Sequence, residues 1–201
     1  DNLLIEGLGE IQLENEFEKI NYNIFKSGKK LNFDTNLNLD NTSLEIDLLN
    51  FKKNEKLKSK LRATGSYEKS SYLNLEEFSI ISEENKIFLK NLALNKDNKI
   101  LKIDELELNY VDTENKKNQL IVKKKGINNY ILNGSIFNAN TLISDLLKSK
   151  GDDQFRILKN DININMNLKE VFFDKKNIVS DLKAKIFIKN NKVFDADIEA
   201  S

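Results

Sequence analysis

Three pairs of adjacent carboxylates are the groups in this chain that could perform acid–base chemistry: Glu76-Glu77, Glu83-Glu84 and Asp152-Asp153. General acid–base catalysis needs two carboxylates that converge in a cleft and have different pKa values. Neighbouring residues in a strand point to opposite faces, and carboxylates in turns are solvated. We therefore expect all three pairs to be ordinary surface groups.

Missing residue types exclude several kinds of catalysis. The 201 residues include no His, Cys, Pro or Trp. Without His and Cys there is no Ser-His-Asp triad, no thiol nucleophile, no disulfide and no zinc site of the usual kind. The 32 basic and 32 acidic residues balance, whereas a nucleic-acid-binding protein would show a basic excess. We expect a protein that is not an enzyme, holds no metal or cofactor and binds no nucleic acid.

Three short motifs have simple explanations in a chain with thirty Asn and thirty Lys. The stretch 161–165 resembles the start of a calcium loop but lacks the required Gly and the distal Glu. The triplet 123–125 is three lysines that could meet anionic head groups, although a solvated hairpin is the favoured interpretation. The glycosylation sequons at Asn41 and Asn133 are expected by chance.

The dominant pattern is the strict alternation of apolar and polar residues. It occurs over 20–24, 31–39, 44–48, 106–110, 162–168 and 182–188. Successive side chains of a strand point to opposite faces, so each run has one apolar face and one polar face. Turn signals rich in Asn, Asp and Gly separate the runs. The pattern predicts a mainly β fold, a long antiparallel meander that is apolar on one side.

One segment has helical spacing instead. Asn140 suits an N-cap and Gly151 suits the C′ position. Between them, four apolar residues form one stripe of a helix: Leu142, Ile143, Leu146 and Leu147. We expect a short amphipathic helix over 140–149 that lies on the apolar sheet face or at its edge.

An apolar sheet face of this size must be covered. It can pack on a second sheet, close into a barrel or curl into a trough that holds a ligand. Periodicity alone does not separate a groove from an ordinary sandwich core. In the groove interpretation, the predicted lining residues are Leu31, Phe33, Leu37, Leu39, Leu44, Ile46, Leu48, Leu106, Leu108, Tyr110, Ile162, Ile164, Met166, Leu168, Leu182, Ile186 and Ile188.

The part of the chain from Gly126 to Ser201 contains three motifs in succession. A strand ends in Gly-Ser-Ile-Phe-Asn-Ala at 134–139, the Leu-rich helical stretch 142–147 follows, and an alternating strand runs over 161–171. In these motifs the chain resembles the AsmA-like superfamily of Gram-negative envelope proteins, most nearly its large YhdP-type members. The rest of the chain resembles the family more loosely, as repeated amphipathic strands.

The resemblance implies a bridge-like lipid transfer protein. Such a protein forms a long, curled β-trough in the periplasm, anchored in the inner membrane and reaching toward the outer membrane. Phospholipid acyl chains would move along the apolar inner face, and the helix over 140–149 would cap the groove. The chain begins at Asp1 without Met and ends while alternation continues. We therefore expect residues 1–201 to be one continuous β-groove segment of a longer protein, with the anchor outside it.

Two functions remain as hypotheses from the sequence. The first is a non-catalytic conduit for phospholipids between the two membranes, with membrane components at either end as unknown partners. The second is a structural or adhesive β-domain with a closed, self-packed core and no lipid. An enzyme that uses carboxylates alone is a third and weaker interpretation. The groove predicts that the apolar side chains line an open surface, and the structural domain predicts that a second sheet packs on them.

Overall fold

A computed structural model describes residues 2–69, 71–141, 161–174, 176–190 and 192–201. Most of them lie in β-strands, and one 3-10 helix spans Asp47–Leu49. The strands, numbered in chain order, are β1 (Asn2–Leu13), β2 (Glu16–Ser27), β3 (Lys30–Asn38), β4 (Leu44–Ile46), β5 (Phe51–Lys53), β6 (Lys60–Glu68), β7 (Tyr72–Ser82), β8 (Asn85–Asn95), β9 (Ile100–Lys102), β10 (Glu105–Val111), β11 (Lys117–Lys124), β12 (Asn129–Asn138), β13 (Ile162–Phe172), β14 (Ile178–Lys189) and β15 (Lys192–Glu199).

The strands form one large sheet and one small one. The large sheet has 13 strands in the order β1-β2-β3-β6-β7-β8-β10-β11-β12-β13-β14-β15, with β9 paired to β8. Strands β4 and β5 pair only with each other. Because β1 and β15 lie at opposite edges, the sheet is not closed into a barrel. The predicted fold class, a mainly β and largely antiparallel meander, is confirmed, and a curled groove is compatible with this topology.

One strand pair of the large sheet is parallel. Strands β12 and β13 run side by side in register from Asn129↔Asn163 to Asn138↔Phe172. Parallel neighbours need a crossover of a dozen or more residues, and here the connection contains the stretch predicted to be a helix. Asn140 and Thr141 are helical. The rest of that prediction, including its groove-capping residues Leu142, Ile143, Leu146 and Leu147, lies outside the described residues.

Polar residues make the tight turns, as the sequence predicts. Asn98, Asn115 and Asn190 have φ values of 58°, 59° and 50°, and Gly28 has a φ of 60°. This left-handed region is open to Gly and tolerated by Asn. Each of these turns connects two neighbouring strands of a hairpin. Short polar turns allow the strands on either side to keep long, uninterrupted ladders.

Two glycines permit irregular pairing inside the sheet. The register shifts between Thr64 and Gly65, and again between Gln119 and Leu120, which pairs with Gly134. A Cβ atom at Gly65 would lie 2.1 Å from the carbonyl oxygen of Asn74. One at Gly134 would lie 2.4 Å from the carbonyl oxygen of Gln119. Bulges bend a strand and increase its twist, so these glycines allow the sheet to bend without losing its pairing.

The alternating run over 44–48 does not continue the large sheet, contrary to prediction. Leu44 and Ile46 lie in the three-residue strand β4, and Leu48 lies in the 3-10 helix with 48% of its surface exposed. Asn50, with a φ of 50°, then reverses the chain so that β5 returns along β4. We call residues 39–59, between β3 and β6, the bridging segment.

Replacing Gly134 by Ala should destabilise the fold, because the new methyl group would collide with the Gln119 carbonyl and with Leu168. We expect a loss of about 1–3 kcal/mol in the free energy of unfolding, measured by urea denaturation. Gly9→Ala is the matched control, since nothing lies within 4 Å of a Cβ at that position. Equal stability of the two variants would contradict the close approach at Gly134.

Candidate functional site

The two faces of the large sheet differ in where their charged residues lie. Residues paired across the strands form rows, and all members of a row lie on the same face. One such row crosses twelve strands without a charged side chain: Gly7, Tyr22, Thr35, Ala63, Phe78, Leu89, Leu106, Val122, Leu132, Met166, Ala184 and Ile198. We call the side of the sheet that carries this row the apolar face.

A second uncharged row lies next to the first on the apolar face. It consists of Gly9, Ile20, Leu37, Leu61, Ile80, Ile87, Leu108, Leu120, Gly134, Leu168 and Leu182. Several of its side chains are almost fully buried, among them Leu108, Leu168 and Ile80. The two rows together form an uninterrupted apolar surface that runs across the strands.

The opposite face carries charges of mixed sign. Its central row contains Glu77, Lys90, Glu105 and Lys123 in adjacent strands. Lys123 and Glu105 form an ion pair of 3.1 Å. Because such exposed pairs contribute little to stability, their main effect is to keep this face hydrated.

The predicted lining residues fall into two groups. Those in the large sheet all belong to the apolar face: Leu31, Phe33, Leu37, Leu106, Leu108, Tyr110, Ile162, Ile164, Met166, Leu168, Leu182, Ile186 and Ile188. The others, Leu39, Leu44, Ile46 and Leu48, lie in the bridging segment. Whether the first group binds lipid stays a prediction. Leu48 lies in the 3-10 helix with 48% of its surface exposed, whereas Leu44 and Ile46 pack on the buried core.

The apolar face is open at both edge strands and covered nearer its middle. On β1, Leu3 and Ile5 are 51% and 45% exposed, and on β15 Ile198 is 60% exposed. Nearer the middle, side chains of the bridging segment pack on the core. Leu44, Ile46 and Leu49 contact the cluster that contains Leu108. In the described part of the chain, the bridging segment thus covers the middle of the apolar face from outside the large sheet.

Two aromatic residues attach the bridging segment to the sheet. The rings of Phe51 and Tyr110 meet edge to face with 5.5 Å between their centroids. The hydroxyl of Tyr110 donates a hydrogen bond of 2.7 Å to the carbonyl oxygen of Leu49. Burial raises the pKa of Tyr110 well above its ordinary value, and the nearby charge of Asp112 acts in the same direction. Tyr110 therefore stays protonated and keeps donating.

The carboxylate of Glu18 anchors the start of the bridging segment. It is 2% exposed and accepts hydrogen bonds from the backbone amides of Asp40, Asn41 and Thr42 at 3.0, 2.7 and 2.6 Å. Burial alone raises the pKa of Glu18, but the amide hydrogen bonds outweigh it and lower the pKa overall. Glu18 is thus an ionised side chain on the apolar face. Both of its carboxylate oxygens hold the backbone of residues 40–42.

Lys53 completes this anchor from the other side of the bridging segment. Its side chain is fully buried, and Nζ donates a hydrogen bond of 2.6 Å to the carbonyl oxygen of Thr42. Burial lowers the pKa of Lys53, while the negative charges of Glu18 and Asp40 oppose that effect. Alternation did not identify Glu18 or Lys53 as special, since both are charged residues in a highly charged chain.

The carboxylate pairs named from the sequence lie at separate positions in the described residues. Glu77 lies 3.9 Å from Arg62, and Glu83 and Glu84 occupy an exposed turn. Asp152 and Asp153 lie outside the described residues. The buried Asp112 accepts hydrogen bonds from the side-chain amides of Asn118 and Asn138. The described part of the chain contains no group of three or more potential metal-binding residues of the His, Cys, Asp and Glu types.

A small cavity lies on the apolar face, near the end where β12 begins. It measures about 130 Å³ and is lined by Ile100, Leu101, Ile103, Val122, Asn128, Tyr130, Leu132, Ile162 and Ile164. Burial raises the pKa of Tyr130, although the backbone amide of Ile103 interacts with the hydroxyl and opposes this. An engineered apolar cavity of about 150 Å³ holds a benzene molecule. This cavity can therefore accept a short piece of hydrocarbon.

Comparison with protein-family models, with curated proteins and with solved structures finds no match to this chain. The described residues include no helix with the length and apolar character needed to cross a membrane.

Replacing Glu18 by Gln should weaken the attachment of the bridging segment, because the amide hydrogen bonds would lose their charged acceptor. Near neutral pH we expect a loss of about 1–3 kcal/mol in the free energy of unfolding. The pKa of Glu18 is lowered on folding, so its stabilising effect is present above its ordinary pKa of 4.5 and disappears as the pH falls through the folded value.

The difference in stability between wild type and Glu18→Gln should therefore shrink toward about pH 3. Urea denaturation at both pH values measures it. The matched control is Glu16→Gln, at an exposed position two residues earlier. A constant difference at both pH values would contradict the proposed role of the ionised carboxylate.

Proposed function

We propose that the apolar face binds phospholipid acyl chains and that the chain is part of a non-catalytic lipid conduit. The observation that carries this proposal is the uncharged row across twelve strands, from Gly7 to Ile198. Neighbouring strands are separated by about 4.8 Å, so such a row extends for about 50 Å. A surface of that length suits a flexible hydrocarbon chain better than a compact ligand.

Acyl chains would bind here through burial alone. Each CH₂ group removed from water contributes about 0.8 kcal/mol. The apolar rows offer a similar environment at every step and few polar groups to fix a ligand in one place. A lipid held in this way can move along the face, while the charged opposite face keeps the sheet hydrated.

The open edges and the cavity support the same proposal. Large apolar side chains of β1 and β15 are partly exposed in the described residues, and exposed apolar patches of this kind mark binding sites for ligands or partners. The cavity beside Tyr130 and Ile164 offers room for part of a hydrocarbon chain. Acyl chains bound along the apolar face would cover the exposed side chains of the edge strands and fill the cavity.

The resemblance to AsmA-like proteins supplies the cellular setting of the proposal. We place the chain in the periplasm, as part of a protein anchored in the inner membrane by a segment outside residues 1–201. Lipids would then pass between the inner and outer membranes. No reaction is required, because transfer along an apolar surface needs neither an acid–base pair nor a metal.

The competing function is a structural or adhesive domain without lipid. The observation that favours it is the packing of the bridging segment on the centre of the apolar face, where Phe51 and Leu108 are each 2% exposed. In that case side chains of the same protein would cover the apolar face, and no lipid would bind there. The two functions differ in whether hydrocarbon reaches the face away from the bridging segment.

Photo-crosslinking in cells tests the proposal. A photoreactive amino acid is placed at Phe33 or Ile164, both partly buried on the apolar face. Asn32 and Asn163 are the matched controls, since each precedes a test residue and points to the opposite face. We expect lipid adducts, detected by mass spectrometry, at the two test positions and not at the controls.

The outcome is decisive if the folded protein accumulates to the same level in all four variants. Equal labelling of both faces, or no lipid adduct at either test position, would contradict the conduit and favour the structural domain. Adducts at Phe33 and Ile164 alone would favour the conduit.

A further inference from the structure

The two ends of the strands carry opposite charge. At one end, the described residues of the turns are 26–30, 68–69, 71, 95–99, 123–128, 188–190 and 192, placed together by the pairing of the strands that flank them. These segments contain eleven lysines and two acidic residues, Glu68 and Asp97. Three further acids lie at this end: Asp104, which forms an ion pair with Lys102, Glu105, which is paired with Lys123, and Asp161, just before β13. We call this the lysine end.

The turns at the other end are acidic. The described residues of the segments 13–16, 82–85, 112–116 and 173–177 include seven acidic residues and two lysines. The bridging segment, which also lies at this end, is balanced, with four of each sign. The formal net charge of zero therefore conceals a separation of charge along the strand direction.

Most lysines of the lysine end point into solvent. Exposed examples in three different turns are Lys29, Lys96 and Lys125. Lys123 shares its charge with Glu105, and the ammonium group of Lys189 lies 5.4 Å from the centre of the Phe194 ring. The basic charge is thus spread over the whole end of the sheet rather than gathered around one pocket.

An exposed isoleucine lies among these lysines. Ile127, at the tip of the β11–β12 turn, is 86% exposed, the highest exposure of any large apolar side chain in the described residues. It follows Lys125 and Gly126, whose φ of 111° shapes the turn. Asn128, the next residue, lines the apolar cavity. Basic charge, an exposed apolar tip and the cavity therefore occur at the same end.

We propose that the lysine end docks on an anionic lipid bilayer, with Ile127 entering the interfacial region. The turns from β2–β3 to β14–β15 extend for about 40 Å, which suits an extended surface rather than a single phosphate group. A lysine near an anionic bilayer strengthens binding by about fivefold. Several such residues in one line give firm but salt-sensitive attachment.

The docking is separate from the proposed conduit and does not depend on it, since contact through the strand ends sets the apolar rows parallel to the bilayer. A structural domain with a closed core could dock through the same turns, and a conduit could work without this contact. Vesicle binding measures docking alone, and the crosslinking at Phe33 and Ile164 measures occupancy of the apolar face. Failure of one proposal is therefore distinguishable from failure of the other.

The test is co-sedimentation of the 201-residue chain with vesicles. One set contains phosphatidylglycerol and phosphatidylcholine, and the other contains phosphatidylcholine alone. We expect binding to the anionic set at about 0.01 M salt and strong weakening at about 1 M, where the screening length falls to about 3 Å. Equal binding to both sets, or no binding to either, would overturn the proposal.

Charge reversal at exposed turns identifies the end that binds. The variant Lys29→Glu, Lys30→Glu, Lys125→Glu should lower the partition coefficient by about a hundredfold or more. Its matched control is Lys58→Glu, Lys117→Glu, Lys176→Glu, which changes the net charge equally at the other end. Circular dichroism checks that both variants fold. Equal loss in the two variants would show binding by overall charge and would overturn docking by the lysine end.

A fluorescent probe gives the orientation independently, because the chain contains no Cys. A polarity-sensitive dye is attached to Ile127→Cys or, as the control, to Asn115→Cys in the exposed turn at the other end. We expect a blue shift on addition of anionic vesicles for the dye at position 127 and none at position 115. A shift at position 115 alone would reverse the orientation and contradict the proposal.

Discussion

Register is the constraint on which the rest of this structure depends. Side chains alternate between faces with a period of two, so a slip of one residue in any strand would move its charges to the apolar face. The pairing keeps twelve strands in phase from Gly7 to Ile198. Where the ladder shifts, at Gly65 and opposite Gly134, a missing side chain lets the backbones approach. Each bulge reverses the parity of the alternation, and the apolar residues of the sequence follow it: beyond Ser135 the buried pair is Phe137 and Val171, so the apolar face continues past the irregularity.

The bridging segment shows how an ionised group can sit on such a face. Glu18 belongs by position to the apolar side of β2, where an unpaired charge would be strongly unfavourable. Three backbone amides and the nearby charge of Lys53 compensate for its burial. Because these amides belong to the loop that begins the segment, the charge fixes the loop in place. Phe51 and Tyr110 then add apolar contact and a hydrogen bond at the far side of the segment.

Alternation in the sequence was sufficient to predict the fold class and the face to which most of the named residues belong. Leu31, Leu106 and Ile186 lie where period two places them, because a side chain's face depends only on local geometry and register. The run 44–48 forms only the short strand β4 and lies outside the large sheet, since a short alternating run looks the same in any sheet. The loop that surrounds Glu18 could not be predicted, because its contacts join residues more than twenty positions apart. The separation of charge between the two ends also needs the topology, which decides which turns lie together.

The uncharged row has a modular property. Each strand contributes one residue to the row and lengthens it by about 4.8 Å. That residue need only be uncharged and lie on the apolar face. An additional hairpin paired to β1 or β15 with the same alternation would extend the apolar path by about 10 Å without any new type of contact. The reach of such a surface is thus set by a count of strands, and selection could adjust it by duplication of hairpins while each existing strand kept its sequence.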